Sequence, residues 1–305
     1  MSQVRANDVY VTAQDGLRLH VREHGERTAP GLPVVCLPGL ARTTVDFEPL
    51  AAALAGDPDR PRRVLAMDYR GRGLSDRDPD PANYSIPVEL NDVLAVLTAR
   101  ALSPAVFVGT SRGGLITMAL AAVRPAAIAG AVLNDIGPVL EPQGLMRIKS
   151  YVGKLPQPRS FEEGADILRR LFSAQFPKLT EAQWLSYAHR TWRDQDGNLL
   201  LTYDPRLAHA LAEFDPANPL PTLWTQFDAL GRVPVMVIRG ANSDLLSPAT
   251  VAAMQARHHD LTAIEIPDQG HAPLLVEPEM IARIAAFVAK CETEQVDVMG
   301  ETAKP

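Results

Sequence analysis

Residues 105–122 read AVFVGTSRGGLITMALAA, and this stretch decides the fold. Ala105–Val108 is a short apolar run of the kind that forms a strand buried on both faces of a parallel sheet. Leu115–Ala122 has the spacing and composition of a helix. Between them stands Gly109-Thr110-Ser111-Arg112-Gly113-Gly114, a G-x-S-x-G pattern in a strand–turn–helix setting. Such a turn is tight enough to strain the Ser backbone and expose its hydroxyl. Gly109 and Gly113 are needed where neighbouring backbone passes too close for a Cβ. The helix that follows aims free N–H groups and a positive dipole end at the same place, which suits a developing oxyanion.

Outward from this turn the chain alternates strand and helix. Upstream, Val9–Thr12 and Leu17–Val21 flank Gln14-Asp15-Gly16 as a hairpin. Pro33–Leu37 and Val64–Met67 read as buried strands, and Thr44–Leu54 and Val88–Ala101 as helices. Downstream, Ile128–Leu133 is a strand ending at Asn134-Asp135. Alternation then stops. From about 141 to 220 the sequence gives several amphipathic helices, led by Arg147–Val152, Phe161–Phe172 and Glu181–Trp192, and no convincing strand. It resumes with the strands Val233–Ile238 and Leu261–Ile266 and the helices Pro248–Ala256 and Met280–Lys290. This predicts an α/β, mostly parallel, doubly wound sheet formed by 1–140 and 221–291, a helical cap over 141–220, and a flexible tail over 292–305. The tryptophans and Phe172 of the insert are expected to form the cap's own core.

A Ser hydroxyl needs a base to become a nucleophile. Of 7 His, His271 stands apart, in the loop Asp268-Gln269-Gly270-His271-Ala272-Pro273 directly after a strand. Loops at the carboxyl ends of parallel strands are where such sheets place their sites. A carboxylate must orient the His. Asp244, in the loop after Val233–Ile238, gives the order Ser111, Asp244, His271 and is the expected acid. Asp135, at the end of another strand, is the competitor and is read as a pocket residue.

With these residues the chain resembles the α/β-hydrolase fold superfamily, from about Tyr10 to Lys290. Leu37-Pro38-Gly39-Leu40 is similar to its oxyanion loop, with Pro38 where His usually stands. Asp68-Tyr69-Arg70-Gly71-Arg72-Gly73-Leu74-Ser75 is similar to its D-x-R-G-x-G-x-S segment. The resemblance implies an eight-stranded sheet, a helical cap between the sixth and seventh strands of that fold, and backbone N–H donors at Leu40 and Arg112. It places Gly39 and Arg42 in the substrate pocket. The Arg112 guanidinium is expected to pair with a carboxylate such as Asp135; the competing reading has Arg112 or Arg42 receive an anionic group of the substrate.

Composition narrows the partners. With 30 Lys+Arg against 36 Asp+Glu the formal net charge is −6, which argues against nucleic acid or an anionic membrane. The 2 Cys, Cys36 and Cys291, build neither a disulfide framework nor a metal site. His258-His259 lacks ligand spacing, and Gly71-Arg72-Gly73 lacks the third Gly of a dinucleotide loop. No signal peptide or apolar span is visible, so a soluble cytoplasmic protein is expected. The expectation is a serine hydrolase without cofactor or metal that cleaves a carboxylic ester of a small molecule. Two alternatives stand beside it: carbon–carbon bond hydrolysis of a keto acid on the same triad, and a non-catalytic small-molecule receptor.

Overall fold

The computed structural model describes residues 5–218 and 220–302. Eight strands form one sheet: β1 (Ala6–Thr12), β2 (Arg18–His24), β3 (Val34–Leu37), β4 (Val64–Met67), β5 (Ala105–Thr110), β6 (Ile128–Asn134), β9 (Val235–Gly240) and β10 (Leu261–Ile266). Their order is β1-β2-β4-β3-β5-β6-β9-β10. β1–β2 and β2–β4 run antiparallel, and every other pair is parallel.

The apolar run of β3 shows how the layers form. Val34 and Cys36 face one core, with Leu50 and Leu54 of α1 (Glu48–Ala55) and Ile284, Phe287 and Val288 of α9 (Pro278–Thr302). Val35 and Leu37 face the other, with Val93 and Leu97 of α2 (Ile86–Arg100) and Ile116 and Leu120 of α3 (Arg112–Val123). Successive strand side chains point to opposite faces, so a strand covered on both sides is apolar throughout. Full burial of each such side chain stabilises the fold by about 1.5–3 kcal/mol.

Register aligns the strand ends. Leu37 pairs with Gly109, Thr110 with Asn134, and Asn134 with Ile238. The loops after β3, β5, β6 and β9 therefore open at one edge of the sheet.

Between β6 and β9 lie α4 (Pro142–Tyr151), α5 (Phe161–Phe172), α6 (Glu181–Thr191), a hairpin of β7 (Trp192–Gln195) and β8 (Asn198–Leu201), and α7 (Trp224–Asp228). The α5 helix starts at Ser160, whose side chain accepts from the Glu163 N–H, and α6 starts at a Thr180/Gln183 capping box. Phe172, Trp184 and Trp192 are buried together in the insert, as expected, whereas Trp224 packs on the main core. The hairpin corrects the strand-free reading of 141–220. Its turn, Asp196-Gly197, has φ of 54° and 81°, and Asp-Gly is a strong hairpin signal. Strands of four residues between helices are too short to stand out by periodicity.

The chain end differs from the expected tail as well. α9 continues through Thr302, and Glu292 accepts from the Leu32 N–H at 2.9 Å and from Arg62 at 3.0 Å. Residues 303–305 lie outside the described set. Among the described residues no helix is long and apolar enough to cross a membrane. After β10 a loop carries His271 to α9.

Candidate active site

Ser111 sits between the last residue of β5 and the first of α3, with φ 52° and ψ −112°. Positive φ is costly for a residue with a Cβ and persists only where the surroundings hold it. Here they do. The Ser111 N–H donates to Asn134 O at 2.9 Å, and its carbonyl accepts from the Gly114 N–H at 2.9 Å. A Cβ on Gly113 would lie 2.0 Å from Leu37 O, and one on Gly109 would lie 2.6 Å from Gly113 backbone. Both glycines are therefore required by the close passage of β3, β5 and α3.

Ser111 Oγ lies 2.8 Å from His271 Nε2. His271 Nδ1 lies 2.8 Å from Oδ2 of Asp135, not from Asp244. Asp135 is fully buried at the end of β6 with φ 54°. Its Oδ1 accepts the Gly240 N–H at 2.9 Å and its Oδ2 accepts the Ser243 hydroxyl at 2.5 Å. A carboxylate held this way accepts the Nδ1–H of His271, which leaves the Nε2 lone pair facing the Ser111 hydroxyl.

The expectation for Asp244 is corrected here. Its carboxylate is occupied by Arg147 of α4, at 2.6 Å from Nε and 2.8 Å from Nη2. It stands four residues beyond β9 and faces the insert. Asp135 likewise does not line the pocket but lies behind His271. Chain order did not separate the two acids, because both lie between Ser111 and His271. The available signal was placement: Asp135 directly follows a fully buried strand.

The loop after β3 borders Ser111. A Cβ on Gly39 would lie 3.8 Å from Ser111 Cβ, and the Arg42 N–H closes a turn on Gly39 O at 3.2 Å. Arg112 is the first residue of α3, so its N–H has no acceptor within the helix. Its guanidinium turns away from the cavity, to Glu89 Oε2 at 2.5 Å and Tyr84 O at 2.9 Å. The structural reading of Arg112 thus holds with a different partner, Glu89 in place of Asp135. Arg72 lies on the other side of Glu89, with Nη1 2.7 Å from Oε1, and its Nε donates to Leu40 O at 2.9 Å. A buried Arg72–Glu89–Arg112 chain therefore links Leu40 to the start of α3. Burial pulls the Arg72 pKa below the usual arginine value; Glu89 opposes that and Arg112 adds to it.

Two further residues escaped the sequence. Asn134, fully buried, donates from its amide to Thr110 Oγ1 at 3.1 Å and to Pro273 O at 3.0 Å, tying the elbow to the His271 loop. Gln175, in the loop after α5, accepts the His271 N–H at 2.8 Å through its side chain, and its carbonyl accepts from Asn242 at 3.2 Å. A lone Asn or Gln in a sequence carries no motif that would mark either.

Ser111 and His271 open into a cavity between the sheet edge and the insert. Gly39, Leu40 and Arg42 line it from the sheet side, and Tyr151, Leu168, Phe172, Tyr187 and Arg190 line it from the insert. Tyr151 is buried enough for its pKa to stand well above the ordinary phenol value. Arg42 forks onto Asp46 at 2.6 and 2.5 Å. Burial works against its charge, but Asp46 and Tyr187 more than offset this and raise its pKa above the usual value. The arrangement sets a hydroxyl against an imidazole backed by a buried carboxylate, at the floor of a largely apolar chamber, which is the geometry nucleophilic catalysis requires.

Comparison with known proteins agrees with this architecture. The sequence profile of the Alpha/beta hydrolase family matches residues 34–284. The 3-hydroxybutyrate-oligomer hydrolase of Cupriavidus necator is 37% identical over 277 residues, 88% of this chain and 92% of the relative. The 2-(acetamidomethylene)succinate hydrolase of Mesorhizobium japonicum is 26% identical over 264 residues, 87% of this chain and 88% of the relative. A solved alpha/beta hydrolase from Novosphingobium aromaticivorans superposes with a TM-score of 0.86 at 41% identity, covering 94% of this chain and 99% of that one.

Proposed function

The chain belongs to the alpha/beta hydrolase family, and from that premise we propose that it is a serine hydrolase of small carboxylic esters. The observation that carries the reading is the relay of two 2.8 Å contacts from Ser111 through His271 to Asp135. In the proposed reaction Ser111 Oγ attacks the ester carbonyl carbon while His271 Nε2 takes its proton. The oxyanion is held by the backbone N–H groups of Leu40 and Arg112. Collapse breaks the bond to the alkoxy oxygen, which leaves as the alcohol with the proton from His271. Water then adds to the acyl-enzyme, giving its proton to His271, and the acid departs as Ser111 is reprotonated. Asp135 keeps the imidazole in the required tautomer throughout.

Ester chemistry is supported by the Cupriavidus relative, named for oligomers of a hydroxy acid, because such units are joined by ester bonds. We take esters of short hydroxy acids as the substrate class of this chain. A fluorophosphonate probe and a panel of short nitrophenyl esters test the reading. Wild-type protein is expected to label and turn over, and folded Ser111→Ala to do neither. A folded wild type that neither labels nor cleaves any ester, or a Ser111→Ala variant with full activity, overturns it.

A further inference from the structure

The cavity lining carries a charge imbalance that hydrolysis of a neutral ester does not use. Among the described residues lining it, Arg42, Arg190 and Asp46 are the Arg, Lys, Asp and Glu side chains. One carboxylate therefore faces two guanidiniums. The sharing is unequal. Arg42 takes both Asp46 oxygens at 2.5–2.6 Å, whereas Arg190 Nη1 stands 3.6 Å from Oδ1. Arg190 Nε also donates to the Ser186 carbonyl at 3.3 Å. Its side chain is only 11% exposed. The Tyr187 ring lies against both cations, with the Arg42 guanidinium carbon 4.5 Å and that of Arg190 5.8 Å from its centroid.

A buried cation that has lost its hydration and shares its counter-charge is unfavourable unless another anion completes it. Burial lowers the Arg190 pKa; Asp46 opposes this and Arg42 adds to it. Arginine nevertheless stays protonated in proteins, so the imbalance is answered by a ligand and not by loss of the proton. The surplus is a single positive charge, which matches a carboxylate better than a phosphate near −2. The remaining lining, with Leu40, Phe47, Val152, Leu168, Phe172 and Leu275, suits a short hydrocarbon spacer between that carboxylate and the scissile carbonyl.

We propose that Arg190, held beside Arg42 over Tyr187, binds a free carboxylate of the ester substrate, making the site selective for anionic esters such as those of hydroxy acids. This rests on the reading of Ser111 as an ester-cleaving nucleophile. Arg190 acts in it through a charge-assisted hydrogen bond, and its planar fork matches a carboxylate as an ammonium does not.

The test compares 3-(butyryloxy)butanoate with its methyl ester, both followed by release of butyrate. Wild type is expected to prefer the free acid in kcat/KM. Arg190→Gln is expected to lower kcat/KM for the free acid about 10–100-fold more than for the methyl ester, through KM, the scale of a hydrogen bond to a charged group. Arg190→Lys is expected to recover part of the preference, which also distinguishes recognition from misfolding. Wild type that cleaves both compounds equally, or variants that lower both rates in the same proportion, overturns the carboxylate site while leaving ester hydrolysis standing. Wild type that labels with the fluorophosphonate probe and cleaves nitrophenyl esters but neither of these compounds also overturns the carboxylate site, whereas wild type that neither labels nor cleaves any ester fails the ester reading itself.

Discussion

The floor and the roof of the cavity are built by different rules. The floor is the edge where β3, β5, β6 and β9 end in register, and its geometry is set by backbone. Ser111 is held by the Asn134 carbonyl and two obligatory glycines, and Asp135 by the Gly240 N–H. The roof is set by side chains. α4, α5 and α6 present Tyr151, Phe172, Tyr187 and Arg190 on faces fixed only by how the helices settle on the sheet. Backbone geometry resists substitution, so the floor suits chemistry that must not vary. A helical roof exchanges side chains without disturbing its scaffold, so it suits selectivity.

The sharpest way to break this division is at the acid. Asp135→Asn is expected to lower kcat by about 10³–10⁴, because an amide at this place favours the wrong imidazole tautomer. Asp244→Asn, which cuts an ion pair with Arg147 on the roof side, is expected to change kcat less than about threefold and stability by about 0.2–1 kcal/mol, as for partly exposed pairs. Steady-state kinetics on the two variants measures the contrast, and equal losses would erase it.

A smaller effect is expected beneath the floor. Glu89 is fully buried between Arg72 and Arg112, which reach Leu40 and the start of α3. Glu89→Gln strands the buried Arg72 and the partly buried Arg112 and is expected to cost about 3–5 kcal/mol in denaturant unfolding. In the fraction that folds, kcat is expected to fall about tenfold with KM little changed, since in the proposed reaction the Leu40 and Arg112 N–H groups hold the oxyanion and not the bound ester. A rise in KM with kcat intact would contradict the link to the oxyanion donors.

The smallest expected effect sharpens the comparison where roof and floor meet. Gln175→Ala removes the side-chain acceptor of the His271 N–H. Loss of one such hydrogen bond costs about 0.5–1.5 kcal/mol, or roughly three- to tenfold in rate if all of it falls on the position of the base. A pH–rate profile with its shape kept and its height reduced would mark a positioning role.

The same division explains what could be read in advance. β5, Ser111 and α3 were legible because a short apolar run, a Gly-bounded Ser and a helical run are each local signals. His271 was legible from its loop. The choice between Asp135 and Asp244 was not, since it depends on which strand lies beside which and on where Arg147 of α4 lands. Arg112 misled in detail for the same reason: Glu89, 23 residues earlier in the chain, meets it only across packed helices. Asn134 and Gln175 act through contacts spanning 139 and 96 residues, and no local pattern encodes such distances.

The adjacency of β6 and β9 decides where the orientation of the base is stored. Asn134 lies opposite Ile238, and the Asp135 carboxylate already touches Gly240 and Ser243 of the neighbouring strand and its loop. Two stretches of the chain, 105 residues apart, thus hold the carboxylate that meets the His271 imidazole. The acid is therefore oriented only in a sheet where β9 lies against β6. Nucleophile and base can be recognised from short local stretches, but their alignment is a property of paired strands and belongs to no single stretch.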